Sequence, residues 1–245
     1  MKVNKFLAAI FLASSGTFIQ AQPANNADAG TMAGRLIRYD VKPGQLAAFK
    51  IAVSDYVLYS LSLENNILSE AYYEEENASV LWIIERWNNR KAADEANTGA
   101  QFKAIVLLAE NALVTPAKTF YVKDLEPLSK TEWRRGPGEV DKPVTIMLFV
   151  DSKAGTEDNF KKVYHAAMPQ FRSEQGVINY QLSQLQDDST RFVTYEKFRN
   201  EDAFQFHLAF PPIQPVLDYL NTSIKKQPFQ AGLHRLIAFT SYNQH

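Results

Sequence analysis

The chain has 245 residues, 46% of them hydrophobic and 22% charged, with a formal net charge of −1. That length accommodates one large domain or two ordinary ones, each able to bury its own core. Balanced charge without long runs gives no footprint for nucleic acid or an anionic membrane surface, and the absence of cysteine excludes disulfides, thiolate nucleophiles and Cys-ligated metals.

The first residues, MKVNKFLAAIFLASSGTFIQAQP, run from Lys2 and Lys5 through an apolar stretch to a polar break. This order predicts a secretory signal peptide over residues 1–21, cleaved after Ala21. The apolar run is shorter than the roughly 20 residues that span a bilayer. The mature protein is therefore expected to be exported, to a periplasm or outside the cell, with residues 22–33 a flexible lead-in.

From residue 34 the chain reads as a short strand, RLIRYDV, a Gly-containing turn and a helix over about 45–63. Two strands follow, ILSEAYYEE and SVLWIIERW, then a short helix beginning at Asn89, a further helical stretch and a last strand, KTFYVKDL. Residues 126–142, EPLSKTEWRRGPGEVDK, are charged and punctuated by Pro and Gly, which predicts a linker. Its Trp133 is expected to dock, because an indole is costly to leave in water. Residues 143–245 then repeat the earlier order, with strands PVTIMLFV, VINYQLSQL, TRFVTYEKF and HRLIAFTSY.

The two halves align without a gap at the offset that carries Lys42 onto Lys153, 111 positions, as far as Thr98 and Ala209. Glu85 falls on Glu196, and Asn89 on Asn200, where asparagine suits a helix N-cap. Each copy is thus a βαββαβ unit, 34–125 and 143–245, of ferredoxin-like α+β type. Pro169, inside the second long helix, is expected to bend or break it. Along SVLWIIERW both alternating faces are largely apolar, so neither side of the sheet is expected to face water. The two units are therefore expected to pack sheet to sheet.

The stretches GVINY and RFVTYEKFRNEDAFQFHLAFPP resemble the motif of antibiotic biosynthesis monooxygenase (ABM) domains. Gly176, Tyr180, Glu196, His207 and Pro211 match that motif, with Phe198 at the usual tryptophan position. The first copy matches at Glu85 and Trp87 but carries Asn65, Ser69 and Ala96 for the glycine, tyrosine and histidine. The resemblance implies a dimeric α+β barrel, here an intrachain pseudo-dimer. Several members of that family are cofactor-independent oxygenases of quinol-like aromatics. Others in the wider superfamily cleave heme, isomerise small signalling molecules or have no known activity. Heme cleavage would need an asparagine, a tryptophan and a histidine in one domain, which neither copy has.

Strand alternation places Glu196 and Phe198 on one face, and Ala203, Phe204 and His207 share a helical stripe. With Tyr180 from the neighbouring strand, they would form an aromatic-walled pocket for a planar phenol. His207 and Glu196 are the candidate catalytic pair, with Tyr180, Phe198 and Phe204 lining the substrate. No metal site and no cofactor is expected, since no Gly-rich nucleotide loop is present and the other histidines, His165, His234 and His245, lack ligand spacing. The Glu74–Glu76 run reads as a solvated strand end or turn. The expected partners are a small aromatic and O2, without nucleic acid or, after leader removal, membrane. The assembly would be a monomeric pseudo-dimer or a homodimer.

Other roles stay open. His207 could be a hydrogen-bonded core residue, Glu85 and Glu196 could share a structural task, and Trp87 and Phe198 could be core. The pocket could also hold an aromatic ligand without turning it over.

Overall fold

A computed structural model describes residues 31–240; the expected signal peptide and most of the lead-in lie outside the described residues. In the first copy, β1 (Ala33–Asp40) leads into α1 (Leu46–Ser62), β2 (Asn66–Glu74) and β3 (Val80–Trp87). Then come α2 (Arg90–Ala96), α3 (Ala100–Ala112) and β4 (Lys118–Leu125), and the connecting segment holds α4 (Lys130–Trp133). The second copy runs β5 (Val144–Asp151), α5 (Glu157–Ser173), β6 (Val177–Leu185), β7 (Arg191–Phe198), α6 (Glu201–Ala209), α7 (Gln214–Thr222) and β8 (Leu233–Thr240).

The 111-residue offset is a structural identity. β1, α1, β2 and β3 map onto β5, α5, β6 and β7 end for end. Even the irregularity at Asn66/Leu68 recurs at Val177/Asn179. Asn89 and Asn200 both cap, accepting hydrogen bonds of 2.9 Å from Ala92 N–H and Ala203 N–H. The long helices bury the same positions: Phe49, Val53, Tyr56 and Val57 in α1 correspond to Phe160, Tyr164, Ala167 and Met168 in α5.

α5 is unbroken over Glu157–Ser173 in spite of Pro169, which corrects the expectation of a break. Pro169 is exposed, so the carbonyl it leaves unpaired one turn back can be solvated. Met168 and Phe171 beside it are buried and hold both halves of the helix to the sheet.

The strands close into one antiparallel barrel in the order β1-β3-β2-β8-β5-β7-β6-β4, with β4 returning to β1. The last strand of each copy crosses to the other: β4 pairs with β6 and β8 with β2. The inner faces of the two sheets share one core, which includes Leu36, Trp82, Ile84, Val122, Met147, Tyr195 and Leu236. The outer faces are covered by helices, α1 and α3 over the first copy and α5 to α7 over the second. No helix among the described residues is long and apolar enough to cross a membrane.

Trp133 is 1% exposed and sits in the inner core, with the Arg86 guanidinium 4.9 Å from its ring centre. α4 begins with a capping box between Ser129 and Glu132. The connecting segment also bonds both copies: Arg134 Nε donates to the Ile67 carbonyl at 3.0 Å, and Asn179 Nδ2 to the Glu132 carbonyl at 2.7 Å.

Candidate active site

β7 alternates as its sequence suggests. Phe192, Thr194, Glu196 and Phe198 face the helices, while Val193 and Tyr195 face the barrel interior. Tyr180 on β6 stands directly opposite Glu196. α6 then brings His207 into the same space between helix and sheet, 1% exposed. Its position is set by a close approach: a Cβ on Gly176 would lie 2.3 Å from the Ala203 Cβ, so only glycine lets α6 settle against the start of β6.

The imidazole packs among Phe171, Tyr180 and Phe198, with ring centres at 4.8, 5.2 and 5.2 Å. Four of the residues expected from sequence therefore converge: His207, Glu196, Tyr180 and Phe198. Phe204 is buried behind them and meets Phe198, its ring centre 5.3 Å away, rather than the imidazole.

The partner of the imidazole is a residue that the motif does not include. His207 Nδ1 and Glu174 Oε1 are 2.8 Å apart, each side chain 2% exposed. Glu174 caps the C-terminus of α5. In the first copy the equivalent residues are Leu63 and Ala96, which pack with Trp87. An apolar pair in one copy is an acid–imidazole pair in the other. Comparing the two copies position by position is the sequence signal that would have found Glu174.

Glu196 accepts a hydrogen bond from Thr194 Oγ1 at 2.7 Å. Burial pushes its carboxyl above the usual range, opposed by the nearby His207 and by hydrogen bonds from Thr194 and Tyr180. Burial, the Glu196 charge and Tyr164 together keep the Tyr180 phenol well above its ordinary value. The second copy thus holds a protonatable cluster among aromatic walls. A cavity of about 260 Å³ between the C-terminal half of α5, β6 and the connecting segment reaches Tyr180.

The first copy neutralises the same glutamate differently. Arg35 Nε donates to Glu85 Oε2 at 2.7 Å, Arg35 also bonds Tyr56 at 2.8 Å and Asn97 at 3.0 Å, and Tyr56 donates to Glu85 at 2.9 Å. Ser69, which stands at the tyrosine position, donates to Glu85 at 3.3 Å. That cluster is a closed ion pair, with Glu85 held by Arg35, Tyr56 and Ser69. Among the remaining histidines, His165 is exposed and pairs with Glu126, while His234 on β8 pairs with Glu74 at 3.0 Å. Glu74 also accepts from Trp82 Nε1 at 2.9 Å, so it is half-enclosed and engaged rather than a purely solvated strand end.

An eight-stranded barrel made by two βαββαβ units, with a buried histidine cluster under the helices of one, defines a tandem dimeric α+β barrel protein. The profile of the antibiotic biosynthesis monooxygenase family matches residues 32–107 and 143–215, and the chain belongs to that family. Its fold is similar to that of a candidate monooxygenase from Lactobacillus acidophilus NCFM, at 14% identity and TM-score 0.69, covering 86% of this chain and 95% of that one. A candidate monooxygenase from Fusobacterium nucleatum is similar at 13% identity and TM-score 0.72, covering 88% and 96%. An anthrone oxidase-like protein is similar at 9% identity and TM-score 0.56, covering 84% and 92%. No match was found among curated proteins.

Proposed function

We propose that this protein is a cofactor-independent monooxygenase that oxidises a small phenolic or quinol-type aromatic in its second repeat. The observation that carries this reading is the difference between the copies. Glu85 is locked to Arg35, whereas Glu196 lies beside an imidazole that is itself held by Glu174. The cavity at Tyr180 is lined by neither His207 nor Glu196, so a substrate reaches this cluster only by moving the packed Tyr180 aside.

The Glu174 contact at Nδ1 leaves Nε2 as the ring nitrogen for proton exchange. Nε2 takes the phenolic proton, and the electron-rich phenolate passes an electron to O2. Recombination at a ring carbon forms a hydroperoxide, to which the imidazolium returns the proton. Loss of the ring C–H proton to Nε2 and of hydroxide, protonated by Glu196, then yields the quinone and water; the imidazolium restores the Glu196 proton. One oxygen atom enters the product and one leaves as water, so no external reductant is required. Burial, which favours the neutral carboxyl of Glu196, suits it to the donor role.

A second reading has an observation of its own: the imidazole is closely surrounded by three rings, which suits a site that holds an aromatic ligand without turnover. Oxygen uptake with a panel of naphthols and hydroquinones separates the two. The decisive variant is Glu174→Leu/His207→Ala, which installs the residue types of the first copy. It should fold and consume no oxygen above background, while the unmodified protein takes up one O2 per quinone formed. Full uptake by the double variant would remove His207 from the chemistry. Export rests on the order of basic, apolar and polar residues at the N-terminus, and the mature chain should begin at Gln22 on N-terminal sequencing.

A further inference from the structure

The barrel has a mouth at the C-terminal ends of β1 and β5, on the opposite side of the sheet from the His207 cluster. A cavity of about 410 Å³ opens there, within the size range of small-molecule sites. Its floor is a cluster of four rings, Phe120, Phe149 and His234 partly exposed and Trp82, 1% exposed, packed beneath them. Trp82 stacks on Phe120 at 6.0 Å and meets Phe149 at 5.9 Å, while His234 lies 5.8 Å from both Trp82 and Phe149. Glu74 ties down the polar edges of two of these, accepting from the Trp82 indole N–H and pairing with His234 Nδ1. Burial works to raise the Glu74 carboxyl, but those two partners and Arg38 hold it below the usual range, as the anion.

The walls are cationic. Arg38 is paired with Asp40 at 2.6 Å, and Arg191 with Asp151 at 2.8 Å. Lys118 and Lys226 also line the cavity and have no carboxylate within ion-pair distance among the described residues. The mouth has also lost its two-fold symmetry: by the 111-residue offset Arg38 stands where the second copy has Phe149, and Trp82 where it has Val193. The partly exposed rings of Phe120 and Phe149, with the two lysines that lack a carboxylate partner beside them, favour a flat apolar body carrying a negative group.

We propose that the barrel mouth is a second ligand site, separate from the His207 cluster, that binds a planar aromatic carboxylate, its ring on Phe120 and Phe149, which Trp82 backs from beneath, and its carboxylate at Lys118 and Lys226. The asymmetry of the walls specifies a single ligand in one orientation. Isothermal titration of the mature chain with 2-naphthoate tests this, with neutral 2-naphthamide as the control. The expected result is one saturable site per chain for 2-naphthoate and binding at least tenfold weaker for the amide. Lys118→Gln/Lys226→Gln, two changes at exposed positions, should weaken 2-naphthoate at least tenfold and abolish most of its salt dependence. Glu174→Leu/His207→Ala should bind it unchanged. Absence of saturable binding, equal affinity for the amide, indifference to the lysine changes, or loss of binding in the His207 variant would each overturn the proposal.

Discussion

The side chains of Glu174 and His207 are each 2% exposed, and each supplies a hydrogen bond to the other. Removing one leaves the other buried without its partner, which in proteins costs about 3–5 kcal/mol. His207→Ala alone should therefore lower the unfolding free energy by about that amount, while Glu174→Leu/His207→Ala should recover most of the loss, as read by urea denaturation. Restoring the volume with Phe198→Trp, to match Trp87, should bring it closer still. Glu196 makes a prediction with a sign. Burial raises its folded-state value, so the folded chain holds this proton more tightly than the unfolded one. The associated stability is full below the ordinary carboxylate value of about 4.3 and is lost as pH rises through the folded one. Glu174, His207, Thr194, Tyr164 and Tyr180 surround the group, and only the His207 charge and the Thr194 and Tyr180 bonds oppose the shift. Denaturation from pH 4 to 8 should show Glu196→Gln gaining on the unmodified protein as pH rises; a constant difference would refute the assignment. At this scale the motif showed Glu196, Tyr180, Phe198 and His207 in the sequence. It hid Glu174, because a glutamate ending a helix looks like any solvated C-terminal residue until its counterpart Leu63 is set beside it.

α6 reaches the site because Gly176 has no side chain. A Cβ there would press against Ala203, with its Cβ at 2.3 Å and its Cα at 3.2 Å, and backbone cannot yield as a flexible side chain does. Gly176→Ala should displace α6 and cost about 1–3 kcal/mol, an overpacking penalty, measurable as a lower unfolding free energy. It should also disturb the aromatic environment of His207, visible in the imidazole proton resonances. The first copy has Asn65 at this position, and its helix α2 has small residues, Ala92, Ala93 and Ala96, facing Trp87. The elements themselves were legible from periodicity and capping: Asn89 and Asn200 mark two helix starts that the structure confirms at 2.9 Å each. Pro169 misled, since whether a proline breaks a helix depends on what anchors its two sides. Here Met168 and Phe171 do so, which is tertiary information.

The closure of the barrel was the least legible feature. An apolar strand with two buried faces announces that both are covered, but its residues do not say which edge it joins. The bonds of β4 to β6 and of β8 to β2 therefore emerge only in three dimensions. What distinguishes the two halves across that closure is charge inside the barrel. Lys197 of the second copy donates to both oxygens of Glu70 in the first, at 2.8 and 2.9 Å, and Tyr195 donates to Glu70 at 2.7 Å. Arg86, equivalent to Lys197, instead pairs with Asp124 at 2.7 Å within its own copy, braced by Ser183 from the other at 3.2 Å. Glu70 has Gln181 as its counterpart, so two second copies facing each other would bring Lys197 against Gln181 and leave its charge without a carboxylate. The cross-copy pair thereby disfavours the pairing of two second halves. Lys197→Met should strand Glu70 and cost about 3–5 kcal/mol, whereas Glu70→Gln/Lys197→Met keeps an acceptor for Tyr72 and Tyr195 and should regain most of it. Urea denaturation of the three proteins checks the energies. If the double variant remains as unstable as the single one, the interior charges are not coupled and any discrimination against two second halves must come from elsewhere in the closed sheet.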